Sequence, residues 1–355
     1  MSNKKNRWLT LALSVCAYFS LALGVFLIPK ANADTTSNPE KVTVLSPNNS
    51  ENFSTLATTT NDGCLTELDG EMVYYTNATK AAALTYTKSV KNYTATIEFK
   101  TATETTATNT EFRIYLNGGK TDYVIRLTSS YLAVYEPGDR SSWNTSSQFI
   151  FKTNKNYRDG NWHTFTASLY GGKFFLTMDG TFLPNTNNMN NPDKYSASTN
   201  HLYTNMVKDS ETEVLTETEI PEGQFGVYGH NYYVRNFSVD LYDTNATVGN
   251  AQFSTSHQIY ADVDTASTAG YTDEQFSKIL SYAQKAIEEV NLATTTESVS
   301  SAYATFTKNV QKSTFENYEY TFSSSKTPAT DFTLSSGTLT TENGANQIVA
   351  GSSYS

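Results

Sequence analysis

Cysteine, histidine and positive charge are all scarce in this chain. Its 355 residues include two cysteines, Cys16 and Cys64, and four histidines, none of them paired at the spacing that holds a metal. A thiolate zinc site is therefore excluded. Lys and Arg number 25 against 35 Asp and Glu, which gives a formal net charge of −10. Because nucleic-acid binding depends on clustered cations, no nucleic-acid partner is expected.

Catalytic signatures are also missing. The sequence contains no Gly-x-Ser-x-Gly elbow, no phosphate-binding glycine loop and no dinucleotide fingerprint. Glycoside hydrolysis usually needs two converging carboxylates, and no string of the Glu-x-Asp-x-x-Glu type is present. We therefore assign no catalytic residue, no metal and no cofactor, and calcium is the one cation we consider.

The first 33 residues have the pattern of a secretory signal. Lys4, Lys5 and Arg7 precede an apolar stretch, and Ala31-Asn32-Ala33 has the small-x-small form that signal peptidase accepts. The sequence therefore predicts a secreted, extracellular protein, with an uncleaved membrane anchor as the alternative. Cleavage would leave Cys64 as the single thiol, which excludes an intramolecular disulfide.

Aromatic residues, in contrast, are abundant, with 24 Tyr and 19 Phe. These rings can build a core, which excludes general disorder. After a predicted linker over 34–50, β-branched and aromatic residues alternate with polar ones at period two. Turn signals such as Asp159-Gly160 and Asp179-Gly180 separate these runs. The pattern predicts an antiparallel sandwich with strands over 93–99, 112–116, 123–127, 131–135, 149–151, 162–169, 173–178, 225–228 and 234–241.

One of these strands carries a family resemblance. The motif begins with Asp159-Gly160-Asn161-Trp162-His163-Thr164. Two strands separated by Gly171-Gly172 follow, and the motif ends at Asp179-Gly180. This arrangement resembles the concanavalin A-like lectin/glucanase superfamily. Within that superfamily the motif is similar to laminin-G-like domains. The resemblance implies a jelly-roll, concanavalin A-like β-sandwich over 51–245. We expect Trp162 to pack into the sandwich and His163 to lie on its surface, because neighbouring strand residues point to opposite faces.

Sugar binding is the activity that we expect from this sandwich. Lectin-like sites combine an aromatic ring with polar groups that hydrogen-bond the hydroxyls. Two segments, 131–144 and 230–233, offer that mixture, and a third candidate segment lies over 185–195. The predicted ligand-binding residues are Tyr135, Asp139, Arg140, Trp143, Asn144, Tyr232 and Tyr233. If calcium binds, Asp122, Asp139 and Asn144 are the candidate ligands.

The remainder of the chain changes character. We interpret 246–270 as a linker and 271–313 as a helical hairpin, because apolar residues recur there at three- and four-residue steps. The hairpin resembles part of a FIVAR-type module, a spacer in Gram-positive surface and secreted carbohydrate-active proteins. The segment 314–355 returns to β character and resembles the start of a second, incomplete sandwich. The predicted fold is therefore mainly β: an antiparallel β-sandwich, then a helical hairpin, then a truncated second β domain.

These features lead to two functional hypotheses. The first is a carbohydrate-binding, non-catalytic N-terminal region of a larger glycan-processing exoenzyme, such as a β-fructosidase or sialidase, with a polysaccharide or oligosaccharide as partner. The alternative is a cell-surface adhesin that binds host glycan or protein, with cell-wall association through sequence beyond Ser355. An enzymatic domain beyond Ser355 would favour the first hypothesis, and further repeats with a wall anchor the second.

Overall fold

The computed structural model divides the chain into two compact units. Within the described residues, one unit comprises 39–264 and 285–303, and the other comprises 265–284 and 304–315. The predicted signal segment and nearly all of the predicted second β domain lie outside the described residues. The structure describes residues 39–61, 63–77, 80–101, 112–117, 123–138, 149–183, 195–197 and 201–315.

Two antiparallel sheets form the larger unit. The eleven-stranded sheet has the path β14-β15-β12-β11-β6-β18-β4-β3, with β1 on β18, β13 on β12 and β16 on β15. Its strands are β1 (Lys41–Leu45), β3 (Cys64–Leu68), β4 (Glu71–Tyr75), β6 (Tyr93–Thr101), β11 (Trp162–Tyr170), β12 (Lys173–Met178), β13 (Thr181–Leu183), β14 (Tyr195–Ala197), β15 (Tyr203–Lys208), β16 (Leu215–Glu217) and β18 (Tyr232–Leu241).

The seven-stranded sheet has the order β10-β9-β8-β7-β17-β5-β2. Its strands are β2 (Ala57–Thr59), β5 (Ala82–Tyr86), β7 (Phe112–Tyr115), β8 (Val124–Leu127), β9 (Leu132–Tyr135), β10 (Phe149–Thr153) and β17 (Gly226–Gly229). All nine predicted strands are present, and the antiparallel β-sandwich is confirmed.

Aromatic side chains fill the space between the two sheets. Phe99 of the large sheet stacks on Phe112 of the small one, with ring centroids 4.7 Å apart. Tyr232 packs against Phe112 from the large sheet, with ring centroids 4.9 Å apart. All three side chains are fully buried. Since each buried ring removes a large apolar area from water, this layer contributes strongly to the stability of the larger unit.

Two segments that we interpreted as linkers are structured. The segment 34–50 contains β1, which pairs with β18. The segment 246–270 contains helix α2 (Ala246–Ser267), and the residues of α2 up to 264 belong to the larger unit. The apolar periodicity of α2 is weak in the sequence, because the side chains that this helix buries include the polar Gln252 and Ser256 as well as the apolar Phe253.

Helix α2 covers part of the outward side of the eleven-stranded sheet. Phe253 packs against Phe175, with ring centroids 5.5 Å apart, and against Tyr242. Phe182 contacts His257 of the same helix at 5.2 Å between ring centroids. This end of the sheet is therefore buried on both sides, which removes the polar and apolar alternation that marks a half-exposed strand.

The helices predicted over 271–313 are present. They are α3 (Asp273–Asn291) and α4 (Thr296–Phe315), and a short helix α1 (Phe53–Leu56) lies near the start of the sandwich. Thr272 is the N-cap of α3. Its hydroxyl accepts the Gln275 N–H at 3.2 Å, and the Gln275 side chain accepts the Thr272 N–H at 2.9 Å, which forms a capping box. Among the helices that the structure describes, none combines the length and apolarity needed to cross a bilayer.

Two carboxylates of the larger unit are desolvated: Asp240 is buried and Asp262 is partly buried. Asp240 accepts a hydrogen bond from Asn291 at 3.2 Å, and burial raises its pKa to about 6 despite the nearby Lys41. Asp262 accepts hydrogen bonds from Gln258 and Tyr303, both at 2.9 Å, and burial also raises its pKa to about 6. Both groups therefore resist ionisation in the folded chain.

These raised pKa values predict that the free energy of unfolding falls as the pH rises from about 4 to about 6. The folded chain then holds protons that the unfolded chain, with a carboxyl pKa of about 3.9, has released. Asp240→Asn is expected to raise the free energy of unfolding by about 1–2 kcal/mol at pH 8 and to change it little at pH 4. Urea unfolding of the purified protein at both pH values measures this. Glu67→Gln, at an exposed position on β3, is the control, and an equal effect of Asp240→Asn at both pH values would contradict the assignment.

Candidate functional site

The histidine of the sequence motif lies inside the sandwich, contrary to our expectation. His163 is 8% exposed, whereas Trp162 is only partly buried. Trp162 and His163 therefore point the opposite way from our expectation. The His163 ring contacts the rings of Phe99 and Tyr157, at centroid distances of 6.0 and 5.3 Å. Alternation separates the two faces of a strand but does not identify the inward one.

Two aspartates explain why a histidine is tolerated there. Nδ1 of His163 lies 2.9 Å from Oδ2 of Asp179, and Nε2 lies 3.0 Å from Oδ1 of Asp159. Asp179 also accepts the Thr164 N–H at 3.0 Å, and Asp159 accepts the Asn161 N–H at 2.9 Å. We call Asp159, His163 and Asp179 the Asp–His–Asp clamp. It ties the Asp-Gly turn that precedes β11 and the Asp-Gly turn that follows β12 to one ring, at the open end of the β11–β12 hairpin.

The Asp–His–Asp clamp is arranged for structure rather than proton transfer. Burial alone would lower the pKa of His163, but the hydrogen bonds and charges of Asp179 and Asp159 outweigh it and raise the pKa. Although desolvation opposes it, the hydrogen bonds from Asn161 and His163 lower the pKa of Asp159 to about 2. Since both ring nitrogens are engaged by carboxylates, neither is available to accept a proton from a substrate.

The outward side of the seven-stranded sheet brings cations and tyrosines together. Tyr228 of β17 pairs with Arg113 of β7, Arg113 pairs with Arg126 of β8, and Arg126 pairs with Ala133 of β9. Ala133 in turn pairs with Lys152 of β10. Directly paired residues project to the same side of a sheet, so these side chains form one row across five strands. We define the arginine–tyrosine face as Arg113, Tyr115, Arg126, Tyr131, Lys152 and Tyr228.

Contacts within the arginine–tyrosine face position each cation against a ring or a phenol. Nη1 of Arg126 donates to the Tyr131 hydroxyl at 3.1 Å, and Nζ of Lys152 lies 4.3 Å from the centroid of the same ring. The Arg113 guanidinium carbon lies 5.7 Å from the Tyr228 ring centroid. These distances are in the range of cation–π contacts. All six side chains of the face are partly exposed.

The predicted residue Tyr135 lies on the same side of the sheet but is fully buried there. It packs edge-on against Phe149, with ring centroids 4.7 Å apart, and its hydroxyl accepts a hydrogen bond from Arg126 at 3.4 Å. Its ring has no exposed surface for a sugar, and it supports Arg126 instead. Four other predicted residues, Asp139, Arg140, Trp143 and Asn144, lie outside the described residues, as do Asp122 and most of the segment 185–195.

The last two predicted residues point to opposite sides of the eleven-stranded sheet. Tyr232 is buried in the core, and its hydroxyl donates to the Ala82 carbonyl at 3.1 Å. Tyr233 is partly exposed on the outward side and stacks on Tyr75 at 4.7 Å between ring centroids. Pairings across neighbouring strands place it in a row that we call the tryptophan row. The row contains Cys64, Tyr75, Tyr233, Lys100 and Trp162.

Carboxylates accompany the tryptophan row. The Arg235 guanidinium carbon lies 4.4 Å from the Trp162 ring centroid. Its Nη1 is 3.0 Å from Oε2 of Glu71, and its Nη2 donates to Glu98. The hydrogen bonds that Arg235 donates to Glu98 and Glu71 raise its pKa, although desolvation opposes this. The indole therefore has an ion-paired cation over its ring.

Alternation alone could have identified most of the arginine–tyrosine face. In the predicted strand 112–116, Arg113 and Tyr115 occupy the positions between apolar residues, and Arg126 does so in 123–127. Register was the missing information, because it shows that these strands are neighbours. No group of three His, Cys, Asp or Glu side chains suited to a metal occurs within the described ranges.

Comparison with known proteins gives a limited likeness. No family model matches the chain, and no curated protein matches it. A carbohydrate-binding module, CBM66 from Bacillus subtilis, aligns over 53% of this chain and 93% of its own length, with 10% identity and a TM-score of 0.31. The Emp47p carbohydrate recognition domain aligns over 59% of this chain and 99% of its own length, with 10% identity and a TM-score of 0.38. The VIP36 exoplasmic/lumenal domain bound to Ca2+ and Man3GlcNAc covers 56% and 86%, with 10% identity and a TM-score of 0.35. At these TM-scores the likeness adds no argument about what this chain binds.

Proposed function

We propose that this protein is a carbohydrate-binding β-sandwich and that the arginine–tyrosine face is its glycan site. One observation carries the proposal: three cations and the Tyr228 ring share one row across five strands, and the partly exposed rings of Tyr115 and Tyr131 lie beside that row on the same face. Tyrosine rings offer apolar faces to the C–H side of a sugar, and guanidinium and ammonium groups donate to its oxygens. The resemblance of the motif at 159–180 to laminin-G-like domains agrees with this function.

The experiment compares the two outward faces of the sandwich. Tyr131→Ala removes the ring under Lys152 and the acceptor of an Arg126 hydrogen bond, and it is expected to weaken glycan binding at least roughly tenfold. Tyr233→Ala is the matched control, because Tyr233 is also a partly exposed tyrosine close to the start of a strand but belongs to the tryptophan row. A glycan array with the purified protein selects the ligand, and calorimetry measures the affinity of both variants.

The two variants separate the outcomes. Loss of binding in Tyr233→Ala with full binding in Tyr131→Ala would move the site to the other sheet and overturn the proposal. Circular dichroism and thermal unfolding of each variant show whether the sandwich remains folded. Absence of binding to every glycan on the array would also reject the proposal.

The wider setting of the sandwich remains part of the proposal. The signal pattern at 1–33 supports export to the cell exterior. We propose an accessory role beside a glycan-processing exoenzyme, with a surface adhesin as the alternative. An antibody raised against the sandwich would recover the native polypeptide from culture medium or cell wall. Hydrolysis of the bound glycan by the recovered protein supports the accessory role, and binding without hydrolysis supports the adhesin.

A further inference from the structure

We propose that Arg158, in the loop between β10 and β11, forms a binding site for an oxyanion: a carboxylate, sulfate or phosphate group. The inference goes beyond the proposed function, because Arg158 does not belong to the arginine–tyrosine face. It begins from burial. Arg158 is 7% exposed and is the one buried lysine or arginine among the residues that the structure describes. A buried cation is usually paired with a carboxylate that compensates its charge.

No carboxylate of the described residues compensates Arg158. Its Nε and Nη1 atoms are buried and have no hydrogen-bond partner within the described part of the chain. Burial lowers the pKa of Arg158 to about 10, and no described acid opposes that shift. The guanidinium is therefore still protonated at neutral pH, and its charge lies in a desolvated position. A water molecule can accept these hydrogen bonds but brings no charge, so an anion suits the position better.

The next acid in the sequence is engaged elsewhere. Asp159 follows Arg158 directly, but its Oδ1 accepts the Asn161 N–H at 2.9 Å and lies 3.0 Å from Nε2 of His163. The groups that lower the pKa of Asp159 are Asn161 and His163, and Arg158 is not one of them. This carboxylate therefore serves the Asp–His–Asp clamp and leaves the charge of Arg158 uncompensated.

Arg235 shows how the same sandwich compensates an arginine that is less deeply buried. Its Nη1 lies 3.0 Å from Oε2 of Glu71, and its Nη2 donates to Glu98. Arg235 is only partly buried and has two carboxylate partners, whereas the more deeply buried Arg158 has none among the described residues. An anion bound from solution would give Arg158 the counter-charge that Glu71 and Glu98 give Arg235.

The surroundings of Arg158 give an anion access and attract it. Residues 154–156 and Asp159 are exposed, so Arg158 belongs to a surface loop. Lys155 is exposed, and its Nζ lies 4.6 Å from the centroid of the Tyr157 ring, an uncharged partner. Three residues of chain span at most about 11 Å, close to the Debye length of about 10 Å at 0.1 M salt. Both cations of this loop therefore act on an approaching anion.

Calorimetric titration of the purified protein with sodium sulfate and with sodium phosphate, at constant ionic strength set by chloride, tests the site. Saturable binding of at least one of the two anions is expected. Arg158→Gln is expected to weaken it tenfold or more, and Lys155→Gln severalfold. Lys285→Gln removes an exposed lysine of α3. It is the matched control and should leave the affinity unchanged.

Two results would overturn the inference. One is the absence of saturable binding of both anions to the unmodified protein. The other is binding that survives in Arg158→Gln, which would show an adventitious ion only. Circular dichroism shows whether Arg158→Gln folds. If it does not, Arg158→Lys keeps the charge but loses the planar fork, and it is expected to weaken binding severalfold. Unchanged affinity in Arg158→Lys would then count against the site.

A sulfated oligosaccharide and its desulfated form distinguish the two sources of the anion. A preference for the sulfated form that Arg158→Gln removes assigns the site to an acidic group of a glycan. Equal binding of the two forms, together with binding of inorganic sulfate or phosphate at Arg158, assigns it to a free anion. Both results support the site. Its failure leaves the glycan affinity that Tyr131→Ala tests unaffected, so the two proposals are rejected separately.

Discussion

Replacing Gln252 by methionine is expected to lower the free energy of unfolding by about 3 kcal/mol, a large share of the stability of a typical domain. Gln252 is fully buried on α2. Its side-chain amide donates to the carbonyls of Val290, Asn291 and Ala293 at 3.1, 3.2 and 3.0 Å. Its side-chain carbonyl accepts the Asp243 N–H at 2.8 Å. Methionine matches the size of glutamine but can satisfy none of these groups.

The cost arises from the partners that remain. The carbonyls of Val290 and Asn291 belong to the last turn of α3 and that of Ala293 follows the helix, where carbonyls lack a partner within the helix. The Val290 carbonyl also accepts the Ala293 N–H at 3.2 Å, so the Asn291 and Ala293 carbonyls lose most in the variant. Leaving buried polar groups without hydrogen bonds costs about 1–3 kcal/mol each, less where neighbouring groups can share a donor. Chemical denaturation followed by circular dichroism measures the change. Gln284→Met, at an exposed position on α3, controls for the substitution itself, and a loss below about 1 kcal/mol in Gln252→Met would refute this account.

The Asp–His–Asp clamp predicts the second large effect. Asp179→Ala removes the partner of His163 and the acceptor of the Thr164 N–H, and it places alanine at a φ of 54°. Alanine tolerates that left-handed conformation less well than aspartate. The expected loss in the free energy of unfolding is about 3 kcal/mol.

The chain contains a closely matched control for this substitution. Asp69 and Gly70 join β3 to β4 with φ values of 53° and 82°, and Asp179 and Gly180 join β12 to β13 with 54° and 77°. Asp69 is exposed. Asp69→Ala therefore repeats the backbone strain without removing the clamp, and it is expected to cost only about 1 kcal/mol. Similar losses in the two variants would show that the clamp contributes little.

The clamp also predicts a pH dependence of stability. Because the pKa of His163 is raised in the folded chain, its contribution is complete below the unfolded value of about 6.5 and is lost as the pH rises through the folded value. Asp179→Asn keeps the turn but removes one of the two charges. It should flatten the pH dependence of thermal unfolding between neutral and mildly alkaline pH.

The sequence was a good guide where one side of a strand faces water. Phe112 to Tyr115 alternates buried and partly exposed residues, as predicted. Prediction from the sequence failed where contacts with distant residues change the alternation of buried and exposed side chains. Helix α2 buries the outward side of β11, so Thr166 and Ser168 are buried like their apolar neighbours. His163 is buried because of Asp179, sixteen residues away, and no local pattern could show that.

The candidate site was limited by the same lack of long-range information. The prediction concentrated on one aromatic-rich segment and included Tyr135, which lies beside the arginine–tyrosine face but is buried. Arg113 and Lys152 are 39 residues apart in the sequence, and only sheet register brings them into one row. Trp162 seemed a core residue because tryptophan usually is, but Arg235 covers its ring on the outward side.

The exposed thiol at one end of the tryptophan row has a practical consequence. Cys64 is free and exposed on β3 of the eleven-stranded sheet, whereas the arginine–tyrosine face belongs to the seven-stranded sheet. In a Cys16→Ser variant, a maleimide surface coupled to Cys64 would therefore hold the molecules in one orientation, with the seven-stranded sheet turned toward the solution. A fluorophore at the same position would report on immobilisation or capture without occupying the arginine–tyrosine face. Cys64, which forms no disulfide, thus offers an attachment point on the sheet opposite the arginine–tyrosine face.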